Sequence, residues 1–176
     1  MKKIILVLVL VCTLGFAEAQ SFKKNAVLQR GYRGFVENVE SVNMDGDLTI
    51  YSLGLTTSHG YQFSPYFFLG AGLGVQYYYF DLDDVFTNFM GISNDFTCMP
   101  LFVHARGTFM RNWVTPYADL KIGTSFTHGE SLFYANPSVG ARFGFSPKFG
   151  LNVGLGYSYL GKVEMNSISV HIGIDF

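Results

Sequence analysis

The chain is short of charge. Asp, Glu, Lys and Arg make up 14% of its 176 residues, where a soluble surface carries about 25–35%. It is short of cysteine as well: Cys12 and Cys98 are the whole complement. Cys12 falls in a segment expected to be removed, so no intramolecular disulfide can brace the mature domain, a common device in small exported domains. Long apolar runs are also missing. After Ala19 no stretch reaches the roughly 20 apolar residues of a transmembrane helix. Nor is there a basic excess. Ten basic residues stand against twelve acidic ones once Lys2, Lys3 and Glu18 are set aside, which argues against nucleic acid as a partner.

What is present is apolar and aromatic. Hydrophobic residues are 49% of the chain, aromatics 17%, and there are 20 glycines. Residues 1–19 read as an export signal, with Lys2 and Lys3 ahead of an apolar Ile4 to Gly15 segment. Ala17-Glu18-Ala19 is a small-x-small cleavage site, giving a single domain over 20–176. The apolar segment is too short to stay as an anchor, and Val11 before Cys12 is not the small residue a lipid-attachment site needs. A chain too apolar for water and without membrane helices leaves the β-barrel, the other structure that satisfies every backbone group in lipid.

The alternation of side chains agrees. Ile168, Val170, Ile172, Ile174 and Phe176 share one face of a strand; Ser167, Ser169, His171, Gly173 and Asp175 share the other. Seven upstream segments behave similarly, at Gln29 to Asn38, Leu48 to Gln62, Tyr66 to Phe80, Cys98 to Met110, Pro116 to Thr127, Ser131 to Phe145 and Lys148 to Leu160. With Met165 to Phe176 they predict an all-β chain, an eight-stranded antiparallel up-and-down transmembrane barrel. Short polar or proline turns alternate with connections on the other end, among them the longer Val39 to Asp47 and Asp81 to Thr97, as in outer-membrane barrels. Placing the apolar faces inward would crowd a narrow lumen with Leu, Tyr and Phe. Placing them outward lines the lumen with small and polar residues. Two aromatic girdles then follow. Tyr51, Tyr77, Tyr79, Phe126, Phe133, Tyr157 and Tyr159 lie toward the loop end; Tyr61, Phe67, Phe109, Phe145, Phe149 and Phe176 lie toward the turn end. Thr57 and His59 fall on the lipid side, His59 near the interface.

Several stretches also resemble a known family. GYRGFVE (Gly31 to Glu37), TTSHGYQFSPYFFLGAGLGV (Thr56 to Val75), PYADLKIG (Pro116 to Gly123), NPSVGARFGFSPKFGLNVGLGYSY (Asn136 to Tyr159) and the terminal IGIDF are similar to the small outer-membrane β-barrels of Bacteroides-type bacteria. The resemblance spans nearly the whole mature chain. It implies an eight-stranded barrel of the architecture found in OmpA-like and OmpX-like proteins, with no peptidoglycan-binding domain after Phe176 and no established activity. It also implies that Ile172, Ile174 and Phe176 form a recognition signal for the barrel-assembly machinery.

The lumen-facing charges are the best-defined constellation: Arg33, Glu37, His104, Arg106, Asp119, Lys121, Arg142 and Asp175. They form either an ion pathway or a paired network that fills the barrel. Eight strands leave room for little more than side chains, and charges removed from water are expected to pair, so the network is the expectation. His128, Glu130 and Ser131 combine nucleophile, base and orienter types, as in lipid A-modifying barrel enzymes, yet His-Gly-Glu-Ser is also ordinary turn chemistry. Asp81, Asp83, Asp84 and Asp95 suit hard cations by type but match no calcium-loop spacing, so no cofactor or metal is expected. Phe86, Phe89, Met90, Ile92 and Phe96 are expected to form an apolar surface loop, for contact or as a lid. Gly70, Gly72, Gly74, Gly154 and Gly156 read as structural rows. Pro137 predicts a bulge, and Met99-Pro100 a strand start or bulge. Cys98 is expected to be an unreactive thiol near the outer rim. The partners expected are outer-membrane lipid, lipopolysaccharide, the assembly machinery and an unidentified extracellular ligand, for a monomer without enzymatic activity.

Overall fold

The structure, a computed structural model, describes residues 27–43, 50–80, 96–127, 130–161 and 165–176. These form eight strands: β1 (Gly31–Asn43), β2 (Ile50–Ser64), β3 (Phe67–Phe80), β4 (Phe96–Thr108), β5 (Val114–Thr127), β6 (Glu130–Gly144), β7 (Gly150–Leu160) and β8 (Met165–Asp175). Each pairs antiparallel with the next, and β8 returns to β1, so the sheet closes as a barrel. Gly34 and Phe176 extend that last seam, exchanging backbone bonds of 2.7 and 2.9 Å.

The register fixes the bore. Cross-strand partners run from Gly31 through Gln62, Phe68, Arg106, Asp119, Ser138, Gly156 and Ser169 to Ser41, so one circuit returns to β1 ten residues further on. For eight strands at ordinary spacing, that stagger gives a tilt of roughly 40° and a backbone radius of about 8 Å. Long side chains from opposite walls therefore meet at the axis.

Alternation sets the two faces. Leu55, Leu73, Val139, Leu155 and Ile168 are each more than half exposed on the outer wall, while Arg33, Glu37, Arg106 and Lys121 are at most 3% exposed inside. Both aromatic bands are outward. Tyr79, Phe126, Phe133 and Tyr157 ring the loop end; Tyr61, Phe67, Phe109 and Phe149 ring the turn end. The lumen, however, is not lined only by small and polar residues. Phe35, Phe68, Phe102, Tyr117 and Tyr134 point into it and are buried. Glycines make room for them: a Cβ on Gly72 would stand 2.6 Å from the Phe102 ring, and one on Gly154 2.7 Å from the Tyr117 hydroxyl.

Four local expectations are corrected. β1 runs on through Asn43 instead of ending at Asn38, because Glu40 sits on the outer face and does not break the alternation. Phe96 is not part of a free loop; it opens β4 and its ring stacks on Tyr78 at 4.8 Å. Pro137 makes no bulge. Its register to β5 and β7 is unshifted, and only the bridges between Ala135 and Ser138 on the β7 side are missing. A strand residue directs its N–H to one neighbour, so the donor that proline lacks weakens one seam and adds no residue. Pro100, five residues into β4, likewise interrupts only the β3 seam, between the Leu73 and Gln76 pairs. The register shift that does occur lies between Gln62 and Ser64.

Candidate functional site

All eight sequence-predicted lumen charges are buried. At the turn end, Asp175 is the hub. It accepts a hydrogen bond from Arg33, a fork from Arg142 (2.9 Å from Nε, 3.0 Å from Nη2) and one from Asn152 Nδ2 at 3.0 Å. The same arginines donate to carbonyls of the β6–β7 turn, Arg33 to Pro147 at 2.6 Å and Arg142 to Ser146 at 3.2 Å. The cluster thus pins the turn across the barrel mouth.

At mid-height, Arg106 does the connecting. Its register partner is Asp119 on β5, to which it donates from Nε at 2.6 Å and Nη2 at 2.5 Å. It also reaches across the lumen to Glu37 Oε1 at 2.9 Å and Asn152 Oδ1 at 2.7 Å. Asn152 therefore joins the middle cluster to the Asp175 hub. The guanidinium lies between the Phe35 and Tyr117 rings, 4.3 and 4.0 Å from their centroids, a cation–π sandwich closed to water. Lys121 pairs with the other Glu37 oxygen. His104 packs edge-on against Phe35 and Phe68. Its Nδ1 meets Ser58 Oγ at 2.8 Å, and its Nε2 lies 3.4 Å from Asp119. Four cations thus share three carboxylates, leaving the buried set one positive charge in excess when both lumen histidines are neutral.

Above this network the lumen changes character. Tyr78, Cys98, Phe102, Leu132, Tyr134, Leu160 and Met165 form a buried apolar cluster, with Ile50 and Phe96 packed against it. Cys98 is fully buried there. The alternation placed Phe102 and Tyr78 inward, but nothing local indicated that seven residues from five strands would gather at one height.

The remaining candidates fare differently. His128 and the loop residues Asp81, Asp83, Asp84, Phe86, Phe89, Met90, Ile92 and Asp95 lie outside the described residues, as does the 1–19 segment. Glu130 and Ser131 are consecutive on β6, an arrangement that sends side chains in opposite directions. Among the described residues, no group of three or more His, Cys, Asp or Glu could hold a metal ion. Ile172, Ile174 and Phe176 all face outward. On that outer wall His59 is held on both sides, by Tyr32 Oη on Nδ1 at 2.6 Å and Thr57 Oγ1 on Nε2 at 3.0 Å. Thr57 also donates to the Phe35 carbonyl at 3.1 Å. This explains how a polar pair sits on an apolar face: its polar atoms are occupied. The Phe176 ring covers Gly34 and meets His59 edge-on, centroids 6.3 Å apart.

No family model matches the chain, and no curated protein matches it. Solved structures do. Neisserial surface protein A is 18% identical, with a TM-score of 0.56 over 82% of this chain and 94% of that one. Ail, the attachment invasion locus protein of Yersinia pestis, is 16% identical, with a TM-score of 0.54 over 84% of this chain and all of that one. The outer membrane enzyme PagL is 13% identical, with a TM-score of 0.50 over 80% and 98%. The likeness is one of fold, the small eight-stranded barrel of outer-membrane proteins. The narrower Bacteroides-type resemblance has no matching family behind it.

Proposed function

We propose that this chain is an integral outer-membrane barrel with a structural and surface-interaction role, its lumen plugged and its function carried by surfaces outside it. The observation that carries this reading is the two-level filling of the bore, the Arg106 network beneath and the Tyr78–Tyr134 cluster above. The apolar wall with its aromatic bands supports a membrane location, as does the fold shared with Ail and neisserial surface protein A. In this reading the turn end is periplasmic and the loop end meets lipopolysaccharide and an extracellular ligand. The assembly machinery reads Ile172, Ile174 and Phe176. The closed wall leaves no sheet edge that would require a second copy. No catalysis is assigned.

The reading is tested in two steps. The intact chain should fractionate with membranes and show heat-modifiable gel mobility; recovery as a soluble protein would overturn it. Refolded protein in planar bilayers should then give no stable nanosiemens-scale conductance.

A narrow ion pathway is the second reading. It is favoured by Asn136, Ser138 and Ser158, which carry buried polar atoms without hydrogen-bond partners on the small-residue side of the lumen. It requires ion flux in liposomes that changes when Arg106 or Asp119 is replaced by Ala.

A further inference from the structure

The exposed charged side chains are sorted by end. Among the described residues, the exposed cations are Arg30, Arg111 and Lys148, and all three lie at the turn end. Among the described residues, the exposed carboxylate side chains are Glu40 and Glu130, and both lie toward the loop end. One of the cations, Arg111, falls in the chain between two residues that line a recess. Met110, Asn112, Trp113, Val114 and Pro116 line a crevice of about 510 Å³ at the β4–β5 turn, within the roughly 300–1,000 Å³ range of small-molecule sites. Four of its five lining residues are apolar by type, with backbone and Asn112 polar atoms among them, and the Trp113 ring leans on Phe143, centroids 6.3 Å apart. Its frame is fixed by three hydrogen bonds. Phe109 N donates to the Pro116 carbonyl at 3.0 Å and Gly144 N to the Trp113 carbonyl at 2.7 Å. Thr115 Oγ1 donates to the Asn112 carbonyl at 2.8 Å. Arg111, between two lining residues, is exposed and makes no ion pair among the described residues.

We propose that this crevice seats one anionic glycerophospholipid from the leaflet at the turn end. The acyl chain lies against Met110, Trp113, Val114 and Pro116, and the phosphate meets Arg111, with the Asn112 amide at the rim. The inference rests on the membrane-spanning reading and deepens it. The chemistry suits an amphiphile: the apolar side chains of the lining can take an acyl chain, and the exposed guanidinium of the residue between Met110 and Asn112 can distinguish an anionic headgroup from a zwitterionic one.

Trp113 is the only tryptophan in the chain, so its fluorescence reports this crevice alone. The protein is refolded into phosphatidylcholine vesicles containing, at equal mole fraction, phosphatidylglycerol or phosphatidylcholine with brominated acyl chains. Brominated phosphatidylglycerol is expected to quench Trp113 with about fivefold preference, the weight of one basic residue against anionic lipid. Arg111→Gln should abolish that preference while keeping heat-modifiable mobility, and Lys148→Gln should leave it intact. Added inorganic phosphate should not reduce it. Equal quenching by the two lipids in the parent protein would overturn the proposal, as would a preference that survives Arg111→Gln or is lost to free phosphate. Failure of both brominated lipids to quench Trp113 would overturn the membrane reading beneath it.

Discussion

Replacing Arg106 by Met tests whether the lumen is held by its ion pairs. The side chain is nearly isosteric with the arginine stem, so packing is partly kept while every charge contact is lost. Those contacts are four hydrogen bonds, to Asp119 (two), Glu37 and Asn152, and the two ring faces of Phe35 and Tyr117. Glu37 keeps Lys121, but Asp119 keeps only His104 nearby. Removing one partner of a buried pair costs about 3–5 kcal/mol, and a desolvated cation–π contact adds up to about 2. The expected loss is therefore about 4–6 kcal/mol. With a urea dependence of about 2 kcal/mol per molar, the unfolding midpoint in detergent should fall by about 2–3 M, read from the heat-modifiable gel band. Arg106→Lys keeps the charge without the fork and should fall about half as far. Adding Asp119→Asn to Arg106→Met should recover part of the loss, because the stranded carboxylate is neutralised. An Arg106→Met midpoint within about 0.3 M of the parent would refute the reasoning, as would a double variant no better than the single one.

Cys98 is fully buried in the loop-end cluster, so a maleimide should leave the folded barrel unlabelled and react only in urea. Rapid labelling of the folded state would mean that the plug admits small molecules. Deleting Phe176 removes its two backbone bonds to Gly34 and its contact with His59. Membrane insertion in cells should drop well below that of the parent, measured as the heat-modifiable fraction, and unchanged insertion would leave the terminal aromatic as girdle alone.

Strand number and facing were legible because each depends on a short-range rule. With a period of two, a lumen position and a lipid position alternate in every strand, and one apolar face against one mixed face repeats eight times. Strand ends were not legible at the loop end. Glu40 reads as a loop residue by type, yet outside a barrel near its rim a carboxylate can stay on the wall, here accepting from Asn38 Nδ2 at 3.1 Å. Phe96 reads as loop because Ser93, Asn94 and Asp95 before it are polar in a row, so no apolar residue alternates with it on its N-terminal side. Its place is set instead by the Tyr78 ring on the adjoining strand. Proline misled for a different reason: the rule that it cannot donate is correct, but it says only that a bond is lost, not that the register must slip.

The site was legible one strand pair at a time and no further. Arg106 opposite Asp119 follows from alternation and the turn between β4 and β5. Glu37 against Lys121 does not, since the two are 84 residues apart on opposite walls. Whether they share a height depends on the ten-residue stagger of the whole circuit, which no segment encodes alone. The same stagger decides which large residues meet above the network. Shifting one seam by two residues would keep every side chain on its own face, and the hydropathy pattern would still be satisfied. It would, however, carry Glu37 along the axis past Arg106 and Lys121 and strand their charges in the bore. The alternating pattern therefore specifies that the chain forms a barrel, and the buried charges specify which register that barrel adopts. On this argument the cost of Arg106→Met should include a less uniform fold: alternative registers, seen as multiple amide resonances for single lumen glycines such as Gly154 and Gly173, where the parent gives one each.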